Sequence, residues 1–294
     1  MEQPKRSRHP WKGIPICLTS KHGKFDAIQK PFQRILGLEV VADSSTDTDL
    51  LGTFSGEVER PGPPREVVVK KAQLGAQNVG ARLGLATEGS FAPHPQMPWI
   101  PSHLELMACV DMESGTSIVE SLQTEETNFA HFKAESFRDL DSFLTRARFP
   151  SHALILRPAH SGQASSNLYK GITDPAALEE AFHHCQKIDP HGQVHIETDM
   201  RAHLNPTRLK VIEALAEKLA TRLLNLCPKC RYPGFGTLRY ERGLECEACE
   251  APSAWVKSVI QGCAACGHEI QTPREDGRQH APQSACERCE TADE

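Results

Sequence analysis

The chain has no apolar run approaching the roughly eighteen residues of a membrane-spanning helix, so no span is expected. The N-terminus, MEQPKRSRHPWKG, is basic, but the apolar run after it, IPICL, is too short for the core of a signal peptide, and a cytoplasmic protein is expected. No strong charge of either sign is present, with 33 Lys and Arg against 38 Asp and Glu. There is no nucleophile–base triad, no Walker phosphate loop and no glycine-rich dinucleotide fingerprint, since GTFSGE is too short for one. Those absences exclude the commonest serine hydrolases, P-loop enzymes and dinucleotide-dependent oxidoreductases.

Cysteine, by contrast, is plentiful and unevenly placed. Of eleven cysteines, eight fall in the last quarter as CxxC pairs: Cys227 and Cys230, Cys246 and Cys249, Cys263 and Cys266, Cys286 and Cys289. Each pair puts two thiolates on one tight knuckle, and two knuckles close a tetrahedron around zinc, so four knuckles imply two structural zinc ions. Pairing in sequence order and interleaved pairing, first with third and second with fourth, are both open. His268 and His280 are alternative ligands that eight thiols make unnecessary. Short strand-like runs, TLRY and AWVKSVI, with turn residues around RYPGFG and ERGLE, describe a zinc ribbon held by metal rather than by a large core. Cys17, Cys109 and Cys185 lie in apolar or helical surroundings and read as buried free thiols.

From residue 14 onward, strand-like and helix-like segments alternate. IPICLTS, LEVVA, RLGLAT, HALILRP and VHIET read as strands, and LELMACVD with TSIVESLQ as a hairpin across MESG. KFDAIQKPFQRIL, PREVVVKKAQLGAQNVG, residues 136–147, DPAALEEAFHHCQKI and Pro206 to about Leu226 read as helices. The alternation predicts an α/β fold whose mixed sheet is layered with helices. The expected organisation is a flexible N-terminus over 1–13, an α/β domain over 14–222 and a zinc-ribbon region over 223–294.

Ligands of such sheets lie beyond the carboxyl ends of strands, which directs attention to three segments. In CLTSKHGKFDAI a strand passes through Thr19, Ser20, Lys21, His22, Gly23 and Lys24 into a helix, a candidate cradle for an anion. In LGLATEGSFAPHP, Glu88 stands where an apolar strand is expected to open into a loop. Its companion is Glu66, in the first turn of a helix that also carries Lys70 and Lys71. Glu66 and Glu88 offer two carboxylates to magnesium, and Lys24 and Lys71 offer two cations to phosphates, an arrangement suited to attack of water on a phosphoanhydride. In HIETDMRAHLNPTR, Asn205 and Pro206 start a helix, and Arg201 and Arg208 are either ligand contacts or partners of nearby carboxylates. Arg157 and Lys170 are candidates to approach the same crevice. His94 and Trp99 belong to a proline-rich surface loop, and His183 and His184 to the solvent side of a helix.

TSKHGK, DTDLLGTFSGEVERP, LGLATEGSFAPHP and DMRAHLNPTR together resemble a bacterial family catalogued as a domain of unknown function, number 6671. The order of elements over residues 14 to about 125 also resembles the house-cleaning pyrophosphatases of inosine and xanthosine triphosphates. That second resemblance implies a phosphate-contacting loop at Thr19 and Lys24, a metal ligand and a lysine at Glu66 and Lys71, and a further carboxylate at Glu88. The loop asparagine of those enzymes is missing, and Val67 stands where threonine is common.

Two functions follow as expectations. One is a metal-dependent hydrolase of a nucleotide or related phosphoanhydride with an accessory ribbon. The other is a non-catalytic anion-sensing or adaptor protein whose ribbon docks on a macromolecular partner, a protein among the candidates. From Cys227 onward eight Lys and Arg oppose eleven Asp and Glu, and each zinc with four thiolates adds a further −2, so the loaded ribbon carries about −7. Nucleic acid is accordingly not expected as its partner.

Overall fold

The computed structural model describes residues 9–20, 23–43, 46, 61–160 and 167–290. Lys21, His22 and GTFSGE lie outside them. The chain divides into two compact units, Trp11–Ala220 and a smaller one of Thr221–Glu294 with Met1–Pro10. Trp11, read from sequence as part of the N-terminal segment, is 1 % exposed in the core of the larger unit.

The first half of that unit is a five-stranded sheet in the order β2-β1-β3-β4-β5. It begins with β1 (Ile16–Thr19), α1 (Phe25–Leu36) and β2 (Val40–Asp43). Ile28, Phe32 and Leu36 recur at helical spacing to give α1 a buried stripe, and Gly37, left-handed at φ 66°, ends the helix by donating its N–H to Gln33. α2 (Pro64–Val79) follows, its buried Val68, Ala72 and Ala76 again four residues apart. The chain then enters β3 (Leu83–Pro93), which pairs with β1 in parallel. Because β2 and β3 lie on opposite sides of β1, the crossovers reverse direction there, and the β1–β3 gap is the topological switch point of the sheet.

β3 continues past the expected strand end. Its eleven residues pair antiparallel with all of β4 (Pro101–Asp111), and β4 pairs in turn with β5 (Thr116–Thr124) across the predicted turn. Glu88 is thus mid-strand, opposite Leu106, rather than at a strand-to-loop junction. The glycine and serine that read as breakers are ladder residues, Gly89 opposite Glu105 and Ser90 opposite Leu104. His94 and the 79 % exposed Trp99 sit in the loop closing this hairpin.

The second half is a separate four-stranded antiparallel sheet. It consists of β6 (His131–Ala134), β7 (Leu154–Pro158), β8 (Tyr169–Ile172) and β9 (Val194–Thr198), in the order β6-β9-β7-β8. β6 and β8 were not expected from sequence; at four residues each they are too short to show a period. A 3-10 turn over Phe137–Leu140 leads into α3 (Asp141–Ala147), and α4 (Pro175–Ile188) follows β8. Phe143, Leu178 and Phe182 of this segment pack on Leu154, Leu156, Val194 and Ile196. α5 (Pro206–Leu224) begins where predicted, Asn205 Oδ1 accepting from the Arg208 N–H at 3.0 Å. It reaches Glu120 on β5 through Lys218 and α1 through an Arg34–Glu217 ion pair.

In the smaller unit, β10 (Gly236–Arg242), β11 (Val256–Gly262) and β12 (Glu269–Pro273) form an antiparallel sheet between cysteine knuckles, and the short α6 (Glu287–Glu290) lies in the last of them. Among the described residues no helix is long and apolar enough to cross a membrane.

Candidate functional site

The eight knuckle cysteines gather into two sets, Cys227, Cys230, Cys263 and Cys266 in one and Cys246, Cys249, Cys286 and Cys289 in the other. The pairing is therefore interleaved, and the sequential alternative falls. Neither His268 nor His280 belongs to a set. Within each set all four Sγ atoms lie within 4.8 Å of one another, with contacts of 3.6 and 3.8 Å. A tetrahedron of sulfurs each about 2.3 Å from zinc has edges of about 3.8 Å, so donor chemistry and spacing both fit a structural zinc centre with four cysteine ligands.

Three knuckles share one backbone design. The N–H of Cys227, Cys246 and Cys263 is donated to the carbonyl five residues on, and its carbonyl accepts from the residue four on. That fourth residue is left-handed: Arg231 at φ 63°, Glu250 at φ 56° and Gly267 at φ 68°. The fourth knuckle differs, since α6 supplies it with helical bonds from Cys289 and Glu290 to the Cys286 carbonyl. At Cys246 the N–H groups of Ala248 and Cys249 bring the thiol down to about 7, against the opposing effect of burial. In Cys227 burial is the largest influence and raises the value, but N–H groups of Cys230 and Lys229 outweigh it and again bring the thiol to about 7.

A second constellation lies at the switch point of the five-stranded sheet. Successive residues of β3 face opposite sides, so Thr87 and Glu88 engage different helices. On one side Lys24, at the start of α1, donates from Nζ to Thr87 Oγ1 at 2.7 Å. On the other, Lys71 of α2 meets Glu88 with Nζ–Oε2 at 2.6 Å, side chains 10 % and 5 % exposed. Thr19, ending β1, is buried with its Oγ1 against α2; a Cβ at Gly75 would come within 1.7 Å of that oxygen, so only glycine fits there. Glu66 occupies the first turn of α2 as expected, and is exposed. The two carboxylates read as a pair thus have different surroundings, one in solvent and one sealed against a lysine.

Arg208 and Arg201 find carboxylates. Arg208, 1 % exposed, makes a two-pronged pair with Glu105, Nε–Oε2 and Nη2–Oε1 each 3.0 Å, and gives Nη1 to the Met200 carbonyl at 2.6 Å. Gly89 makes room for this pair, since a Cβ there would lie 2.6 Å from both Arg208 Nη2 and Glu105 Oε2. His103 Nε2 bonds Glu105 Oε2 at 2.7 Å. Burial alone would raise the Glu105 carboxyl; Arg208, the His103 hydrogen bond and Lys24 hold it far below the usual carboxylate range. Arg201 pairs with the fully buried Asp199, Nη2–Oδ2 2.6 Å.

Lys24 carries the clearest electrostatic signature. Burial first, then repulsion from Arg208, bring its ammonium down to about 7 despite attraction from Glu105 and Glu88. His103, Thr87 and Glu105 were missed from sequence. The available signal was the alternation HLEL in β4, which puts two polar side chains on one face of an otherwise apolar strand. The loop after β1 and the loop after β9 do converge, because a Cβ at Gly23 would stand 2.9 Å from His203 Cβ. Cys17, Cys109 and Cys185 are buried free thiols, and His183 and His184 are exposed.

The sequence model of one protein family, described as Domain of unknown function (DUF6671), matches residues 71–291. Searches of the curated proteins and of the solved structures found no match, so no homologue supports the resemblance to the inosine and xanthosine triphosphate pyrophosphatases.

Proposed function

The chain belongs to that family of unknown function, and from its own residues we propose that the Trp11–Ala220 unit binds a phosphorylated small molecule beyond the carboxyl end of β1, beside the middle of β3. One observation carries this reading: at the switch point three buried cations, Lys24, Lys71 and Arg208, stand with two buried carboxylates, Glu88 and Glu105. Burial relieves that positive surplus by making Lys24 a weaker base. An arriving phosphate would restore its charge, so binding near neutral pH takes up a proton.

The finer form of the proposal is magnesium-dependent hydrolysis of a nucleotide or related phosphoanhydride. Glu88 and Glu66 then hold the ion, Lys24, Lys71 and Thr19 the phosphates, and the zinc ribbon is accessory. It requires Glu88 to exchange Lys71 for the metal. A second reading, sensing without turnover with the acidic ribbon docking on a protein partner, is favoured by that same Lys71–Glu88 pair, which already satisfies the carboxylate. A panel of nucleoside di- and triphosphates, assayed with magnesium for phosphate or pyrophosphate release and by calorimetry for binding, separates the two. Release that Glu88→Gln abolishes while the fold survives supports hydrolysis. Saturable binding without release supports sensing, and Lys24→Ala should weaken it. Neither release nor binding across the panel would sink the anion-binding proposal.

A further inference from the structure

The sheet β6-β9-β7-β8 buries one face beneath α3 and α4, and its opposite face carries polar and charged side chains around one buried apolar residue, Ile155. Leu154, Leu156, Val194, Ile196 and Ala134 point into the helix-covered core. Strand alternation then sends Lys133 of β6, His195 and Glu197 of β9, Arg157 of β7 and Lys170 of β8 to the other side. The register puts Lys133 directly opposite His195 on one flank and Arg157 directly opposite it on the other. With strands about 4.8 Å apart, the lysine and arginine backbones are about 10 Å apart across the histidine, within reach of one small anion.

His195 supplies the second observation. It is 9 % exposed, its Nε2 bonds Glu197 Oε2 at 3.2 Å, and its buried Nδ1 has no hydrogen-bond partner. A buried ring nitrogen in that condition costs free energy unless a further group meets it. With Lys133 and Arg157 on either side, the fitting group is negative, met by an imidazolium that donates from Nδ1 while Glu197 accepts from Nε2.

We propose that this sheet face is a phosphate-binding site, separate from the one at the switch point, in which Lys133, His195 and Arg157 surround a phosphate monoester or inorganic phosphate and Glu197 fixes the histidine ring. Guanidinium and ammonium supply two positive charges for a dianion, and the Glu197 carboxylate is balanced by the ring it fixes. The site stands whether or not the switch-point proposal does, because it shares no residue with it.

The test uses the full-length zinc-loaded protein. Inorganic phosphate, glycerol phosphate and a short thymidylate oligomer are titrated while the imidazole nitrogens of the histidines are followed by NMR, His195 being assigned through His195→Gln. The expected result is a saturable shift at His195 with phosphate and glycerol phosphate, weakened about tenfold by Lys133→Ala and by at least as much by Arg157→Gln. Lys133 is exposed, so its variant keeps the fold. Lys24→Ala should leave the His195 shift intact, which separates this site from the other. No shift at His195, a shift unchanged in Lys133→Ala, or a response to the oligomer alone would overturn the proposal.

Discussion

At Lys24, burial has a consequence for stability whose direction can be worked out. In the unfolded chain the ammonium keeps its proton up to about 10.5; in the folded chain it gives it up near 7. Between those values the unfolded state binds more protons, so this group's contribution to stability rises with pH, and below 7 the penalty is present in full. Lys24→Met should therefore raise the unfolding midpoint at pH 6 relative to its effect at pH 10; equal effects at both would refute the assignment. Glu105 works in the opposite sense. Its folded-state value is depressed, so it stabilises above the ordinary carboxylate range and loses that contribution as pH falls through the folded value. Glu105→Gln leaves the Arg208 guanidinium buried without its counter-charge, at a cost of about 3–5 kcal/mol in denaturant unfolding. Adding Arg208→Met should recover much of it. A loss below about 1 kcal/mol would mean that the pair is not sealed from water.

In the cysteine elements, interleaving threads each centre's chain through the other. Between Cys230 and Cys263 the chain runs through the second centre's first knuckle and two strands before returning to the first centre. Cys230→Ser should release one zinc of two and, in alkylation mapped by mass spectrometry, expose Cys263 and Cys266 before Cys246 and Cys249. Labelling of the latter two first would indicate sequential pairing. The left-handed positions are a second element-level test. Glu250 holds φ 56° at a place where Gly267 serves another knuckle, so Glu250→Gly should make the centre harder to strip by about 1 kcal/mol in chelator titrations.

For the whole molecule, two compact units with different sources of stability predict two separable transitions. The larger unit buries large apolar side chains around both of its sheets, Trp11, Phe32, Phe143 and Phe182 among them. The smaller has one small apolar cluster, Cys227, Phe235 and Cys263, two of them members of a four-cysteine set, and few other buried apolar side chains, Leu244 and Ile260 among them. A strong chelator should abolish the ribbon's transition in calorimetry while the transition of the Trp11–Ala220 unit persists. Loss of both together would show that zinc supports the entire chain.

The sequence by itself determined whatever depends on local spacing. CxxC knuckles, the four-residue apolar stripes of α1 and α2, the Asn205 start of α5 and the turn between β4 and β5 are each set by residues a few positions apart. Their chemistry and period survive in one dimension. Only the tertiary structure decided what depends on residues distant in the chain. Which knuckles share a metal is fixed by β10 and β11 bringing Cys263 back to Cys227. Gly89 and Ser90 read as breakers because nothing local shows β4 waiting to pair with them. Whether Arg208 met a ligand or a carboxylate depended on Glu105, more than a hundred positions earlier, and on a glycine that leaves space for both. A charge's partner is chosen by packing, and packing is not written in the neighbours along the chain.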